Sequence, residues 1–331
     1  MQKKISVIIP VYNGENFIDS CLNSIFTQEG FSLDELEILL LNDGSRDGSL
    51  EILRRYEKQQ SSVRVIDQKN MGAAKTRNKG MRLATAEYTT LIDQDDTIAS
   101  DYFKTLYSAI VQVKSDVVQS GFKLVNKDGE TVKQVLPITT EFGKFLAIPA
   151  WAKLYRTSFL IDNNIEFFDN NIGEDSIFTT DVIIKAERYS TIRYAGYLNS
   201  FDNSENVTNT LHKGLSKSVN IIGLLDRLHE IQSTDTTMQK MLEYNIIRTA
   251  SYYLLSYGRY AEPQRFYDTY KEIFTWIDTS IPSVYGNRYL YIKPKGEHLS
   301  ASGGVVLLAL LHKVGLMKLF AIMYCKRGNH E

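Results

Sequence analysis

Cysteine is scarce in this chain, with only Cys21 and Cys325 in 331 residues. Neither has a neighbour at metal-ligand spacing, so a zinc site is not suggested. Cys21 falls in an amphipathic stretch and reads as a small core residue. The five histidines, His212, His229, His298, His312 and His330, form no recognisable pair. Excess charge is also missing. Lys and Arg number 38 against 39 Asp and Glu, a net of −1, which gives no reason to expect nucleic acid as a partner. The glycine-rich fingerprint of dinucleotide-binding proteins is absent, because the first strand exits through PVYNGE with one glycine where three are needed. There is no Walker A sequence. A strand begins by residue 4, which leaves no room for a signal peptide, so the expected location is the cytoplasm.

Hydrophobic residues make up 43% and charged residues 23%, as in an ordinary globular protein. Lys4–Val11 is a β-branched run with little alternation, the pattern of a strand buried on both faces. Strand and helix signals then alternate. Helices are expected at 15–26, 50–56, 73–84 and 101–114, and strands at 37–41, 63–67, 88–92 and 116–120. Such alternation predicts an α/β fold with a mostly parallel, Rossmann-like sheet flanked by helices. Ligands of these sheets bind beyond the carboxyl ends of the strands. Every polar cluster lies at such an end: Tyr12-Asn13-Gly14, Asn42-Asp43-Gly44, Asp67 to Asn70, and Asp93 to Asp96.

The densest of these clusters is Asp93-Gln94-Asp95-Asp96. Carboxylates this close repel one another unless water or a cation screens them, and a hard divalent cation suits them. A plain acidic turn that caps the following helix would read the same way locally. Asp43-Gly44 alone is an ordinary turn signal, Arg77 alone a solvated helix charge, and Tyr12 alone packing at a strand end.

Four stretches taken together, VIIPVYNGE at 7–15, LNDGSRDGS at 41–49, NMGAAKTRNKG at 70–80 and YTTLIDQDD at 88–96, resemble the family 2 glycosyltransferases of the GT-A fold that build bacterial surface polysaccharides. The match is closest over about 4–125 and weaker to about 210. The resemblance implies a nucleotide-sugar donor, most readily a UDP-sugar, a Mn²⁺ or Mg²⁺ cofactor, and transfer with inversion to a hydroxyl of a glycan or lipid-linked acceptor. It places Tyr12 on the base with Pro10 beside it, and Asp43 on a base N–H. Arg77 and Lys75 fall near the diphosphate, Asp93 near the ribose and Asp95 on the metal, with Asp96 in support. Asn42 stands where the family often has a second Asp. The stretch Ala150-Trp-Ala-Lys-Leu-Tyr-Arg156 resembles one beneath the family's acceptor groove, where Trp151 would stack on a sugar or else join the core. Glu174-Asp175 opens a helix, as acidic residues commonly do. The resemblance makes Asp175 the general base and Glu174 its orienting partner. The Ser204–Thr208 loop and His212 resemble the family's closing segment.

The sequence therefore suggests a catalytic domain at 1–212, with a nucleotide-sugar half at about 1–125 and an acceptor half at about 126–212. A helical C-terminal extension would follow at 213–331. Val305–Tyr324 is apolar but broken by His312, Lys313 and Lys318, so a spanning helix is not expected. For about 303–327 two expectations stay open. One is an in-plane helix on an anionic membrane. The other is packing on the chain's own core or on a second subunit, as in a homo-oligomer. Two other functions also stay open: a nucleotidyltransferase, or a non-catalytic nucleotide or glycan binder.

Overall fold

In a computed structural model of the chain, residues 3–170, 172–201 and 214–325 are described; Ser204–Thr208 and His212 lie outside them. The chain divides into two compact units. The first holds Met1–Pro137, Ala147–Asp169 and Glu174–Asn203, and the second Ile138–Leu146, Asn170–Gly173 and Ser204–Glu331.

The first unit is built on a nine-stranded sheet. β1 (Ile5–Val11) pairs in parallel with β2 (Leu36–Asp43) on one side and β4 (Tyr88–Leu91) on the other, and β3 (Val63–Gln68) pairs in parallel with β2. β8 (Lys153–Arg156) lies antiparallel between β4 and β6 (Val117–Val125). β6 also pairs with β7 (Thr131–Val135) through a turn at Asn126–Gly129, and in parallel with β9 (Tyr189–Ser200). The short β5 (Thr97–Ile98) closes on β9.

The absence of alternation in β1 and β2 has a direct structural cause. Ile5, Val7, Ile9 and Val11 enter one core with Ile38 and Leu40, whereas Ile8, Leu39 and Leu41 enter the core on the opposite face. Successive side chains of a strand point to opposite faces, so a strand covered on both sides must be apolar throughout. The first face is covered by α1 (Ile18–Phe26), α2 (Ser49–Gln59) and α4 (Tyr102–Val113), which contribute Leu22, Leu53 and Leu106. The second is covered by α3 (Ala73–Leu83), α5 (Thr157–Asp162) and α6 (Glu174–Lys185), through Met81, Leu160 and Phe178. Gly80 sets the approach of α3, since a β-carbon there would stand 2.4 Å from Cγ2 of Ile8.

The second unit is helical. It contains α7 (Ile221–Glu230), α8 (Thr236–Gly258), α9 (Pro263–Ser280), α10 (Arg288–Tyr291), α11 (Leu299–Lys313) and α12 (Met317–Tyr324). Asp235 accepts from the Met238 N–H at the start of α8, and Pro263 occupies the first turn of α9, where its missing N–H costs nothing. The apolar run near the C-terminus is two helices, broken at Gly315, whose φ of +73° favours glycine. Among the described residues no helix is long and apolar enough to cross a membrane.

Candidate active site

The carboxyl ends of β1, β2, β3 and β4 share one rim, and their loops are tied by side-chain-to-backbone bonds. Gln94 grips the backbone of Tyr12 at two points: its Oε1 accepts from the Tyr12 N–H at 2.9 Å and its Nε2 donates to the carbonyl at 3.0 Å. The N–H of Arg46 donates to Asn13 Oδ1, and the N–H of Gly48 to Glu15 Oε2. Asp43 is 3% exposed. Its Oδ1 accepts from Met71 N–H and Gln68 Nε2, and its Oδ2 from Gly72 N–H, all at 2.9–3.0 Å. This carboxylate fixes the turn that starts α3. Gly44 is required beside it, because its φ is +72° and a β-carbon would meet the Asn70 backbone nitrogen at 2.7 Å. Asn42 donates to Asp67 at 2.7 Å. The Tyr12 ring stands 44% exposed at the rim, next in the chain after β1 and two residues beyond Pro10.

The three clustered carboxylates have separate environments. Asp96 is 1% exposed and accepts from Tyr197 OH, Asn199 Nδ2 and Ser200 N–H, which joins β4's exit turn to β9. Burial, with Asp93 and Asp95 adding repulsion, pushes its carboxyl well up. Asp93 pairs with Arg77 at 2.9 Å. Asp95 is half-buried between them in sequence.

Arg77 is the hub of the site. Its side chain is 11% exposed, and its guanidinium lies over the Phe167 ring at 5.4 Å. Besides Asp93, its Nη1 faces Glu174 Oε1 and Asp175 Oδ1, each at 3.9 Å. Burial alone would lower its ionisation, but Asp93, Asp175 and Glu174 outweigh that and raise it, so the charge is permanent. Asp175 occupies the first turn of α6 and accepts from Ala150 N–H at 3.3 Å. Burial pushes its carboxyl up to about 6; Arg77 opposes the rise, and Glu174 and Asp93 add to it. Asp175 Oδ1 and Arg77 Nη1 are both buried, and neither makes a hydrogen bond.

Of the residues expected from sequence, Arg77, Asp93, Glu174 and Asp175 thus converge. Lys75 points elsewhere, pairing with Asp169 at 2.5 Å, both largely exposed. Trp151 is stacked on Tyr197, with ring centroids 4.5 Å apart, and edge-on to Phe122. Sequence reasoning passed over Gln94, Tyr197 and Lys153. Lys153 carried a signal, as a lysine that follows the apolar Ala150-Trp151-Ala152 and precedes Leu154-Tyr155. Two hollows of about 510 Å³ lie elsewhere in this unit. One of them is lined by Glu87, Asp116 and Arg156, at the opposite rim. Among the described residues no cluster of three or more His, Cys, Asp or Glu could hold a metal.

A curled α/β sheet with an acidic turn at the end of its fourth strand and a helix-borne carboxylate facing it is the architecture of a GT-A glycosyltransferase. Residues 6–167, about half of the chain, match the model of glycosyl transferase family 2, and the chain belongs to that family. Over 204 residues, 56% of this chain, it is 32% identical to the glycosyltransferase GlyA of Streptococcus pneumoniae. Over 200 residues, 59% of this chain, it is 32% identical to the poly(ribitol-phosphate) beta-N-acetylglucosaminyltransferase TarS of Staphylococcus aureus. The chain spans 29% and 35% of those two relatives' lengths. The crystal structure of S. aureus TarS 1–349 with UDP-GlcNAc superposes with a TM-score of 0.71 at 22% identity, covering 94% of this chain and 92% of that one. The mannosyltransferase PcManGT of Pyrobaculum calidifontis, solved with GDP-Man and Mn²⁺, superposes at 0.56 and 15% identity, over 95% and 88%.

Proposed function

We propose that the chain transfers a sugar from a UDP-sugar to a hydroxyl of a glycan or lipid-linked acceptor, with inversion and with Asp175 as general base. The observation that carries this reading is the buried pair formed by Asp175 Oδ1 and Arg77 Nη1. Buried polar atoms are nearly always satisfied in folded proteins. Two of opposite sense, 3.9 Å apart and without hydrogen bonds, suit a polar group that arrives with substrate. A carboxyl ionising near 6 is charged at neutral pH yet basic enough to accept a proton. In the reaction the acceptor oxygen bonds to the anomeric carbon while its proton passes to Asp175. The bond from that carbon to the diphosphate oxygen breaks, and UDP leaves with the electron pair. Glu174 orients the pair through the shared guanidinium, and Arg77 keeps Asp175 ionised.

On the donor side, Tyr12 offers an exposed face for the base, flanked by Pro10. An ionised carboxylate has about four acceptor sites. Asp43 uses three on the end of β3 and the turn into α3, which leaves one for a base N–H. Asp93, held by Arg77, faces the ribose, and Arg77 supplies positive charge near the diphosphate. The family resemblance assigns a divalent cation to Asp95 of the acidic turn, with diphosphate oxygens and water in the remaining positions, as is usual for Mg²⁺. Bound there, Mn²⁺ or Mg²⁺ would neutralise charge on the leaving diphosphate.

Titration calorimetry with UDP-sugars tests the donor side. Binding should require Mn²⁺ or Mg²⁺, and Asp95→Ala should remove that requirement along with most of the affinity. Equal binding by wild type and variant in Mn²⁺ would refute the ligand role. Release of pyrophosphate instead of UDP would point to a nucleotidyltransferase.

The helical unit supplies a second part of the proposal. Leu307, Leu310, Val314, Leu319, Ile322 and Met323 of α11, α12 and their junction are each more than 40% exposed, a large apolar face for a soluble surface. The only charged side chains between 299 and 325 are Lys313 and Lys318, with no acid. An anionic membrane matches that face, whereas a second copy would set lysine against lysine. We therefore place the chain on the inner face of the cell membrane, where a lipid-linked acceptor would lie. Binding to vesicles containing phosphatidylglycerol, lost on Leu319→Glu/Ile322→Glu, is expected. Failure to bind such vesicles, or a dimer that the same substitutions dissolve, would overturn it.

A further inference from the structure

Lys153 lies on β8 and is 2% exposed. Among the described residues its ammonium has no carboxylate within ion-pair distance, and it donates instead to two backbone carbonyls, those of Ala147 and Pro149. The remaining carbonyls of that segment are held too. Thr179 Oγ1 of α6 donates to Ile148 O at 2.8 Å, and Tyr155 OH donates to Ala150 O at 2.6 Å. Four consecutive carbonyls, 147 to 150, thus each receive a side-chain donor. Irregular backbone in a protein interior must find partners for its polar groups, but side-chain donors on every carbonyl of such a run go beyond an ordinary turn. The segment ends at Ala150, whose N–H is the donor to Asp175 Oδ2.

We propose that residues 147–150 form a fixed shelf that aims the Asp175 carboxylate at the acceptor, and that Lys153 is the positioning residue that holds the shelf. The inference rests on Asp175 being the general base. A neutral apolar residue would fill the Lys153 position at lower cost, because burying an ammonium is unfavourable unless its donors are used. Burial draws the Lys153 ammonium down to about 7, and the Asp175 charge pulls it partly back. Lys153 therefore still carries its charge at the lower pH where Asp175 titrates. The titratable groups that face Asp175 are Arg77 from α3, Asp93 from the turn after β4, Glu174 from α6, and Lys153 and Tyr155 from β8. Removing Lys153 takes away one of the two cations in that set. It also loosens the N–H that favours the ionised carboxylate, and both effects act in the same direction.

The test is the pH profile of kcat for Lys153→Met and Tyr155→Phe, alongside donor affinity. Lys153→Met should lower kcat at least tenfold, leave the UDP-sugar Kd within twofold and move the acid limb of the profile up by about half a pH unit. Tyr155→Phe, which frees only the Ala150 carbonyl, should shift the limb the same way by less and lower kcat a few fold. A folded Lys153→Met with an unmoved acid limb would overturn the proposal, whatever its kcat. If Lys153→Met does not fold, a wild-type kcat and profile in Tyr155→Phe would overturn it. Asp175→Asn separates the two levels. Should it keep wild-type turnover, the base assignment fails; should it be inactive while the acid limb of Lys153→Met stays in place, only the shelf fails.

Discussion

Asp175→Asn should abolish transfer and stabilise the protein at the same time. A carboxyl moved from its ordinary 3.8 to about 6 is harder to ionise in the native state than in the unfolded chain. Whenever it is charged, the fold loses about 3 kcal/mol, since each pH unit corresponds to ~1.36 kcal/mol. The penalty is complete above pH 7 and fades as pH falls from 6 toward 4, because the native carboxyl then binds its proton before the unfolded one does. Asparagine imitates the protonated form. Its oxygen can still accept from Ala150 N–H, but its amide would face Arg77 Nη1, donor against donor. That contact gives back about 1 kcal/mol, which leaves a gain of about 2 kcal/mol at pH 8. At roughly 2–4 °C per kcal/mol for a domain of this size, Tm should rise by about 4–8 °C. Differential scanning calorimetry at pH 8, 6 and 4.5 is the assay, and the gain should shrink steadily down that series. A Tm at pH 8 equal to or below wild type would refute the view that this carboxylate is held ionised against the preference of its surroundings.

Two further substitutions examine the frame around the site. Gly80→Ala gains about 1 kcal/mol of helix propensity. It also forces a β-carbon against the stiff, fully buried Ile8 side chain, which costs about 1–3 kcal/mol, so the urea midpoint should fall; a midpoint at or above wild type would show that α3 can move away from the sheet. Asp43→Ala leaves the Met71 and Gly72 N–H groups without their acceptor and should cost about 2–3 kcal/mol while weakening UDP binding; unchanged UDP affinity would remove Asp43 from the base pocket.

Much of the sheet could be read from the sequence because its cause is local. Both-face burial demands an unbroken apolar run, and β1 and β2 show one. β8 could not be read that way. Its strand character comes from slotting between β4 and β6, and its four residues include a lysine and an arginine. The break at Gly315 was hidden for the opposite reason, since apolar Val314 and Leu316 flank it directly and only its positive φ marks the turn. At the site, sequence order marked Asp93, Glu174 and Asp175, but not that one guanidinium would face all three. Residue 175 is far in the chain from residues 77 and 93, and their meeting depends on the topology. The role of Asp96 as a bridge to β9 was invisible for the same reason, because its partners lie about a hundred residues downstream.

Arg77 also explains why these carboxylates sit together at all. Asp93 belongs to the exit of β4, on the proposed donor side, and Asp175 to the start of α6, on the proposed acceptor side. Unscreened, Asp93, Glu174 and Asp175 would repel one another in a poorly hydrated space. The guanidinium is permanently charged, so it cannot give up its proton to relieve the strain. It pairs closely with Asp93 and stands further from Asp175, and the difference sets their roles. The nearer carboxylate is neutralised and fixed, whereas the farther one keeps an oxygen without a hydrogen bond. A cation equally close to both would hold Asp175 too far below neutral pH to accept a proton. With no cation there, burial and the neighbouring carboxylates would keep Asp175 protonated. The 3.9 Å spacing lies between these limits and leaves the carboxyl drawn up to about 6, which fits the base proposed for it at neutral pH.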